Sequence, residues 1–140
     1  MRYYAVIDTN VLVSALLRPA SAPGRIVGEA LDGSIIPLYN DKIILEYDDV
    51  LHRSKFRFDK ETVRLIVDTF IRRGIPIDAG PVEELLPDPK DVVFYAVTME
   101  KRKTHDAYLV TGNTKHFPKV PFVVTPREMV DMINDIVQSD

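Results

Sequence analysis

A chain of 140 residues is one domain, long enough to bury a sizeable core and too short for two independent ones. It has no cysteine, which excludes disulfides, zinc–thiolate sites and thiol catalysis; a net charge of −3 argues against a protein that holds nucleic acid by a global positive field. No apolar run approaches the roughly 20 residues of a membrane span and the N-terminus lacks the basic start of a signal peptide, so a cytoplasmic protein with no leader and no membrane partner is expected.

The chain opens on Tyr4-Ala5-Val6-Ile7, a continuous apolar run that predicts a strand covered on both faces, as in a parallel sheet. Asp8 follows at the strand's C-terminal end, where open α/β sheets place their ligands. Thr9 or Asn10 can cap the helix that comes next, which should end near Arg18-Pro19. Ser21 and Pro23 open a second helix with Ile26, Val27, Ala30 and Leu31 inward and Asp32-Gly33 closing it. Ile35 to Tyr39 reads as a strand in which Pro37, which cannot donate to a ladder, favours an edge position.

Asn40 or Asp41 caps a third helix, Lys42 to about Arg53, whose Ile43, Tyr47, Val50 and Leu51 form one buried stripe. Glu46 falls on or beside that stripe, where a carboxylate needs a partner cation or a metal to offset its desolvation. Asp59 caps a fourth helix with Val63, Ile66, Val67, Phe70 and Ile71 as its core face and Gly74 as its stop; Ile75 to Asp78 follows as an edge strand. Asp88-Pro89-Lys90-Asp91 starts the fifth helix with a cap, a proline at the first helical position and an acid facing back toward the strand ends. Tyr108 to Thr111 is the fourth strand, and Gly112-Asn113 takes after it the place that Asp8 takes after the first. Phe122 to Val124 is the fifth strand, and Thr125-Pro126-Arg127-Glu128 is a capping box opening a last helix with Val130, Ile133 and Val137 inward. Strands alternating with helices predict a single α/β domain over residues 1–140 with a mainly parallel sheet.

Asp8, Glu46, Asp91 and Asn113 come from four distant stretches that such a topology brings to the carboxyl ends of the strands. Hard oxygen ligands without histidine or cysteine suit Mg²⁺ or Mn²⁺, and crowded carboxylates need such a cation to stay ionised. One or two ions there can generate a nucleophilic water and clamp a phosphate during in-line displacement. His52, His105 and His116 show no useful spacing and read as surface or loop residues. Arg53 to Arg57, Arg72-Arg73, Lys101 to Lys103 and Lys115-His116 are local basic clusters that can meet phosphates, or simply sit favourably at helix ends.

Val6-Ile7-Asp8-Thr9-Asn10 at the first strand end, Ile44 to Leu51 around Glu46, Asp88-Pro89-Lys90-Asp91, and Tyr108 to Asn113 before Lys115-His116-Phe117-Pro118 resemble, in that order, the PIN-domain ribonucleases, and most of all their toxin branch in toxin–antitoxin pairs. The resemblance spans essentially the whole chain. It implies a three-layer α/β/α fold with a five-stranded, mainly parallel sheet, Mg²⁺- or Mn²⁺-dependent cleavage of single-stranded RNA leaving a 5′-phosphate, a homodimer, and an antitoxin protein that occludes the site. Position by position, Asp8, Glu46 and Asp91 match the family's three metal-binding catalytic acids, and Thr9 and Asn10 the polar pair that orients the first. The fourth metal position is commonly Asp; Asn113 removes one formal charge there, which implies weaker metal binding and one well-held ion. Two other readings are a PIN fold that only binds RNA or a protein partner, and a phosphatase of the haloacid dehalogenase type, which places an aspartate nucleophile after its first strand but wants a second Asp where this chain has Asn10.

Overall fold

The chain threads β1 (Tyr3–Ile7), β2 (Ile35–Tyr39), β3 (Ile75–Pro76), β4 (Ala107–Val110) and β5 (Val123–Val124) into one sheet of order β3-β2-β1-β4-β5. Every pairing is parallel. The computed structural model describes residues 2–139. Between the strands run α1 (Thr9–Leu17), α2 (Ala22–Asp32), α3 (Asp41–Leu51), α4 (Lys60–Arg73), α5 (Val92–Arg102) and α6 (Pro126–Ser139). This is the α/β class that the alternation of elements implies. Among the described residues, no helix is long and apolar enough to cross a membrane.

β1 lies at the centre, and Ala5, Val6 and Ile7 have no exposed surface, which is why that run carries no polar alternation. α5 packs across β1, β2 and β4, while α2 packs on β2 and is flanked by α1, α4 and α6. The chain winds outward from β1 to β2 and β3, then crosses over to β4 and β5 on the other side. The change of direction lies between β1 and β4, and the crevice beyond their carboxyl ends is the natural ligand site of such a sheet.

Local chemistry sets most of the boundaries. Ser21 Oγ accepts from Gly24 N–H at 3.2 Å to start α2, and Gly33, at φ +96°, ends it in a left-handed turn closed to an L side chain. Asn40 caps α3 through Ile43 N–H at 3.0 Å, and Asp59 caps α4 through Thr62 N–H at 3.0 Å. Thr125 and Glu128 form the reciprocal capping box of α6, at 3.1 and 2.9 Å.

Four expectations change. β2 is an interior strand despite Pro37: Tyr39 C=O accepts from Ile77 N–H toward β3, so Pro37, of the same parity, faces that side too. Pairing with β3 begins only at Leu38–Ile75, so the missing donor falls just before the ladder starts. Ile71 is 42% exposed on α4 and does not join Val63, Ile66, Val67 and Phe70 in the core. The fifth helix begins as a 3₁₀ turn, Pro89–Asp91, and α3 ends at Leu51, short of the expected Arg53. Val130 and Ile133 are buried as expected; the Val137 side chain lies outside the described residues.

Candidate active site

Asp8 is the residue at which β1 becomes α1, and its position is that of a helix cap. Its carboxylate makes no capping bond. Oδ2 instead accepts from Thr111 Oγ1 at 2.8 Å and from Asn10 Nδ2 at 3.1 Å. Neither Thr9 nor Asn10 is the cap; both sit in the first turn with their side chains engaged elsewhere. Asn10 bridges the crevice, since its Oδ1 accepts from Gly112 N–H at 3.1 Å. The Thr9 hydroxyl donates to Glu46 Oε2, tying α1 to α3.

Register explains why Thr111 is the partner. Ile7 pairs with Val110 and Asp8 N–H donates to Val110 C=O at 2.9 Å, so residue 111 lies directly beside residue 8. Asn113 lies two residues farther on, past the exposed Gly112. It reaches the site through its backbone, donating N–H to Thr111 Oγ1 at 3.0 Å, and its exposed side chain makes no capping bond to the 3₁₀ turn Thr114–His116.

Tyr47, one residue past Glu46 in α3, is fully buried and donates its hydroxyl to Ile7 C=O at the end of β1. That bond fixes α3 over the strand end and presents Glu46 beside α1. Burial raises the Tyr47 hydroxyl well above the usual tyrosine range, with the Asp8 and Glu46 charges adding to it, so it stays a neutral donor. Asp48 and Asp49 lie on the outer side of α3, paired with His52 and Arg53.

Asp91 joins the 3₁₀ turn to α5, and it too occupies a cap position without capping; Asp88 does that work through Lys90 N–H at 3.0 Å. Asp91 Oδ2 is buried without a hydrogen bond, and His116 Nδ1 stands 3.3 Å from it. The sequence puts His116 on the surface or in a loop, within the local basic pair Lys115-His116. It is on an exposed loop, but that loop folds over Asp91, and a lone histidine gives no sequence signal for such a contact. Thr111 was passed over for a simpler reason: it reads as the last residue of an apolar strand, although it is fully buried.

The electrostatics are those of gathered acids. Burial pushes the Asp8 carboxyl up to about 6; the Thr111 hydrogen bond opposes this, and repulsion from Asp91 and Glu46 adds to it. Asp91 is raised by burial and by Asp88, with His116 working against both. Among the described residues, neither Asp8 nor Glu46 forms an ion pair with a lysine or arginine. No group of three or more acid or histidine side chains among them is arranged to hold a metal ion as it stands. The donor chemistry nonetheless fits a hard divalent cation: oxygen ligands, mutual repulsion, and a buried Asp91 oxygen lacking a hydrogen-bond partner.

A family model described as PIN domain matches residues 4–115, which takes in Asp8, Glu46, Asp91 and Asn113. No curated protein shows significant similarity to the chain.

Proposed function

The chain belongs to the PIN domain family, whose members are nucleases that generally depend on a divalent metal, and from that premise we propose that it is an Mg²⁺- or Mn²⁺-dependent endoribonuclease cutting single-stranded RNA. The observation that carries this reading is the buried Asp8 carboxyl at the β1–β4 crevice, raised to about 6 by burial with repulsion from Asp91 and Glu46 adding to it, and with no lysine or arginine paired to it among the described residues. Such an arrangement lowers stability unless a cation occupies it.

In this reading Asp8, Glu46 and Asp91 hold the metal, and the Asn113 amide is a fourth, uncharged contributor. A bound Mg²⁺ or Mn²⁺ supplies an acidified water and neutralises charge on the scissile phosphate. The chain's own residues do the positioning. Thr111 and Asn10 fix one Asp8 oxygen. Thr9 orients Glu46, and Tyr47 locks the helix that carries it. The test is cleavage of a labelled single-stranded RNA with Mn²⁺, abolished by chelator and by Glu46→Gln, while Asp48→Ala and Asp49→Ala retain it. Cleavage that survives chelation and Glu46→Gln contradicts the assignment.

The reading extends to a cytoplasmic toxin of a toxin–antitoxin pair, acting as a homodimer. A second reading, an RNA- or protein-binding PIN module with weakened catalysis, rests on the missing carboxylate at Asn113 alone. RNA binding without metal-dependent turnover distinguishes it.

A further inference from the structure

The segment between α3 and α4 carries a feature that the acid cluster does not use. Arg53 C=O accepts from Phe56 N–H at 3.1 Å, closing a tight turn, and Arg57 then takes φ +55°. Among the described residues, it is the one non-glycine in the left-handed region. A bulky residue there is held against its own preference, so the surrounding geometry must impose it. What the reversal achieves is visible in the rings on either side. Phe56 and Phe58 stack in an offset, parallel arrangement, with centroids 5.1 Å apart and planes 3° from parallel. Phe58 rests on the core, whereas Phe56 is not part of it and stays half-exposed.

Charge surrounds this pair. Lys55 Nζ lies over the Phe56 ring, 5.1 Å from its centroid, where an incoming base would displace it, and Arg53, Lys55, Arg57 and Lys60 are all exposed. Arg53 is paired with Asp49 and Asp59 is used in capping α4, while neither Lys55 nor Arg57 forms an ion pair among the described residues. An anchored aromatic pair ringed by free cations suits a strand of unpaired bases and phosphates. The location suits it too: the turn begins two residues past Leu51, the end of the helix that carries Glu46.

We propose that the turn at residues 53–58 is a stacking platform for the single-stranded RNA substrate, with Phe56 receiving a base to one side of the cleavage site and Lys55 and Arg57 taking the adjoining phosphates. The proposal rests on the nuclease reading and adds to it a determinant of where along the strand the chain holds its substrate. Because stacking needs only a π-face, the platform selects unpaired bases over duplex and shows little preference among them.

Fluorescence anisotropy tests it on the full chain in an Asp8→Asn background, which binds without cutting, with a labelled twelve-nucleotide oligouridine and an abasic strand of the same length. Phe56→Ala and Phe56→Leu should each weaken oligouridine binding roughly tenfold and leave binding of the abasic strand unchanged. Lys55→Gln should lower the slope of log affinity against log salt by about 0.7, the loss of one phosphate contact. Arg57→Gly, which accepts the same backbone without strain, should lower that slope while melting no earlier than its parent. Oligouridine binding undiminished by Phe56→Ala, or restored in full by Phe56→Leu, overturns the platform and leaves the nuclease reading standing. Failure of the Asp8→Asn protein to bind oligouridine at all overturns both.

Discussion

The carboxyl ends of β1 and β4 are neighbours in the sheet and are built in opposite ways. At β1 the chain spends a buried carboxylate, Asp8, and surrounds it with Thr111 and Asn10 as donors while Glu46 and Asp91 repel it. At β4 the residue beside Asp8 is Thr111, a neutral hydroxyl that donates to Asp8 and accepts from Asn113 N–H. Only past the exposed Gly112 does Asn113 follow, anchored by its backbone. One strand end therefore stores electrostatic strain and the other supplies the hydrogen bonds that hold it in place. The difference teaches that the fold does not require a strained strand end, since a satisfied one stands one strand away.

The largest effects should come from the strained end. Asp8→Asn should abolish nuclease turnover and yet stabilise the metal-free protein at neutral pH. The sign follows from the raised carboxyl: an acid moved from 3.8 to about 6 on folding favours its neutral form. Its contribution is fully present below pH 4 and is lost as pH rises through 6. A shift of that size is worth about 3 kcal/mol. Metal-free denaturant curves of parent and Asp8→Asn should thus coincide near pH 4 and separate in favour of the variant by pH 7. A constant gap, or a variant weaker at pH 7, means that Asp8 is a structural acid.

At the supporting end, Thr111→Val keeps the shape and removes the hydroxyl. It should cost about 1–3 kcal/mol in chemical denaturation, because Asn113 N–H loses its acceptor and Asp8 a donor. Activity should fall with it, since one Asp8 oxygen is no longer fixed. A Thr111→Val protein with full stability and activity would remove the distinction between the two strand ends.

Asn113→Asp should have the smallest effect and sharpens the comparison most. If the side chain turns into the crevice when metal binds, the added charge should tighten Mn²⁺ binding about tenfold, roughly 1.4 kcal/mol, by titration calorimetry. Unchanged affinity leaves a three-carboxylate site and confines Asn113 to its backbone bond.

Much of this was legible in the sequence because it rests on local signals. The buried β1 run, the caps at Ser21, Asn40 and Asp59, and the Thr125–Glu128 box each carry their own chemistry within a few residues. Asp8, Glu46 and Asp91 stood out because acids at strand ends and on a buried helix stripe need an explanation. What stayed hidden depended on register and on contacts between distant loops. Nothing near Thr111 says that it, two residues before Asn113, lies beside Asp8; pairing of Ile7 with Val110 decides that. His116 meets Asp91 only because the loop after β4 folds toward the start of α5. Pro37 read as an edge residue because the rule concerns one N–H, and which side that N–H faces is a property of the ladder.

The central claim is that the acids at the β1 end are held apart from their preferred state until a cation joins them. Thermal melting of the parent and of Asp8→Asn at pH 7, with chelator and then with increasing Mn²⁺, tests it most directly. A cation that binds only the folded chain raises its stability by about 2.7 kcal/mol at a hundred times the dissociation constant, so the parent's melting temperature should climb steadily with Mn²⁺ while that of Asp8→Asn, higher at the outset, should stay flat. Equal shifts in both proteins, or none in the parent, would contradict the account.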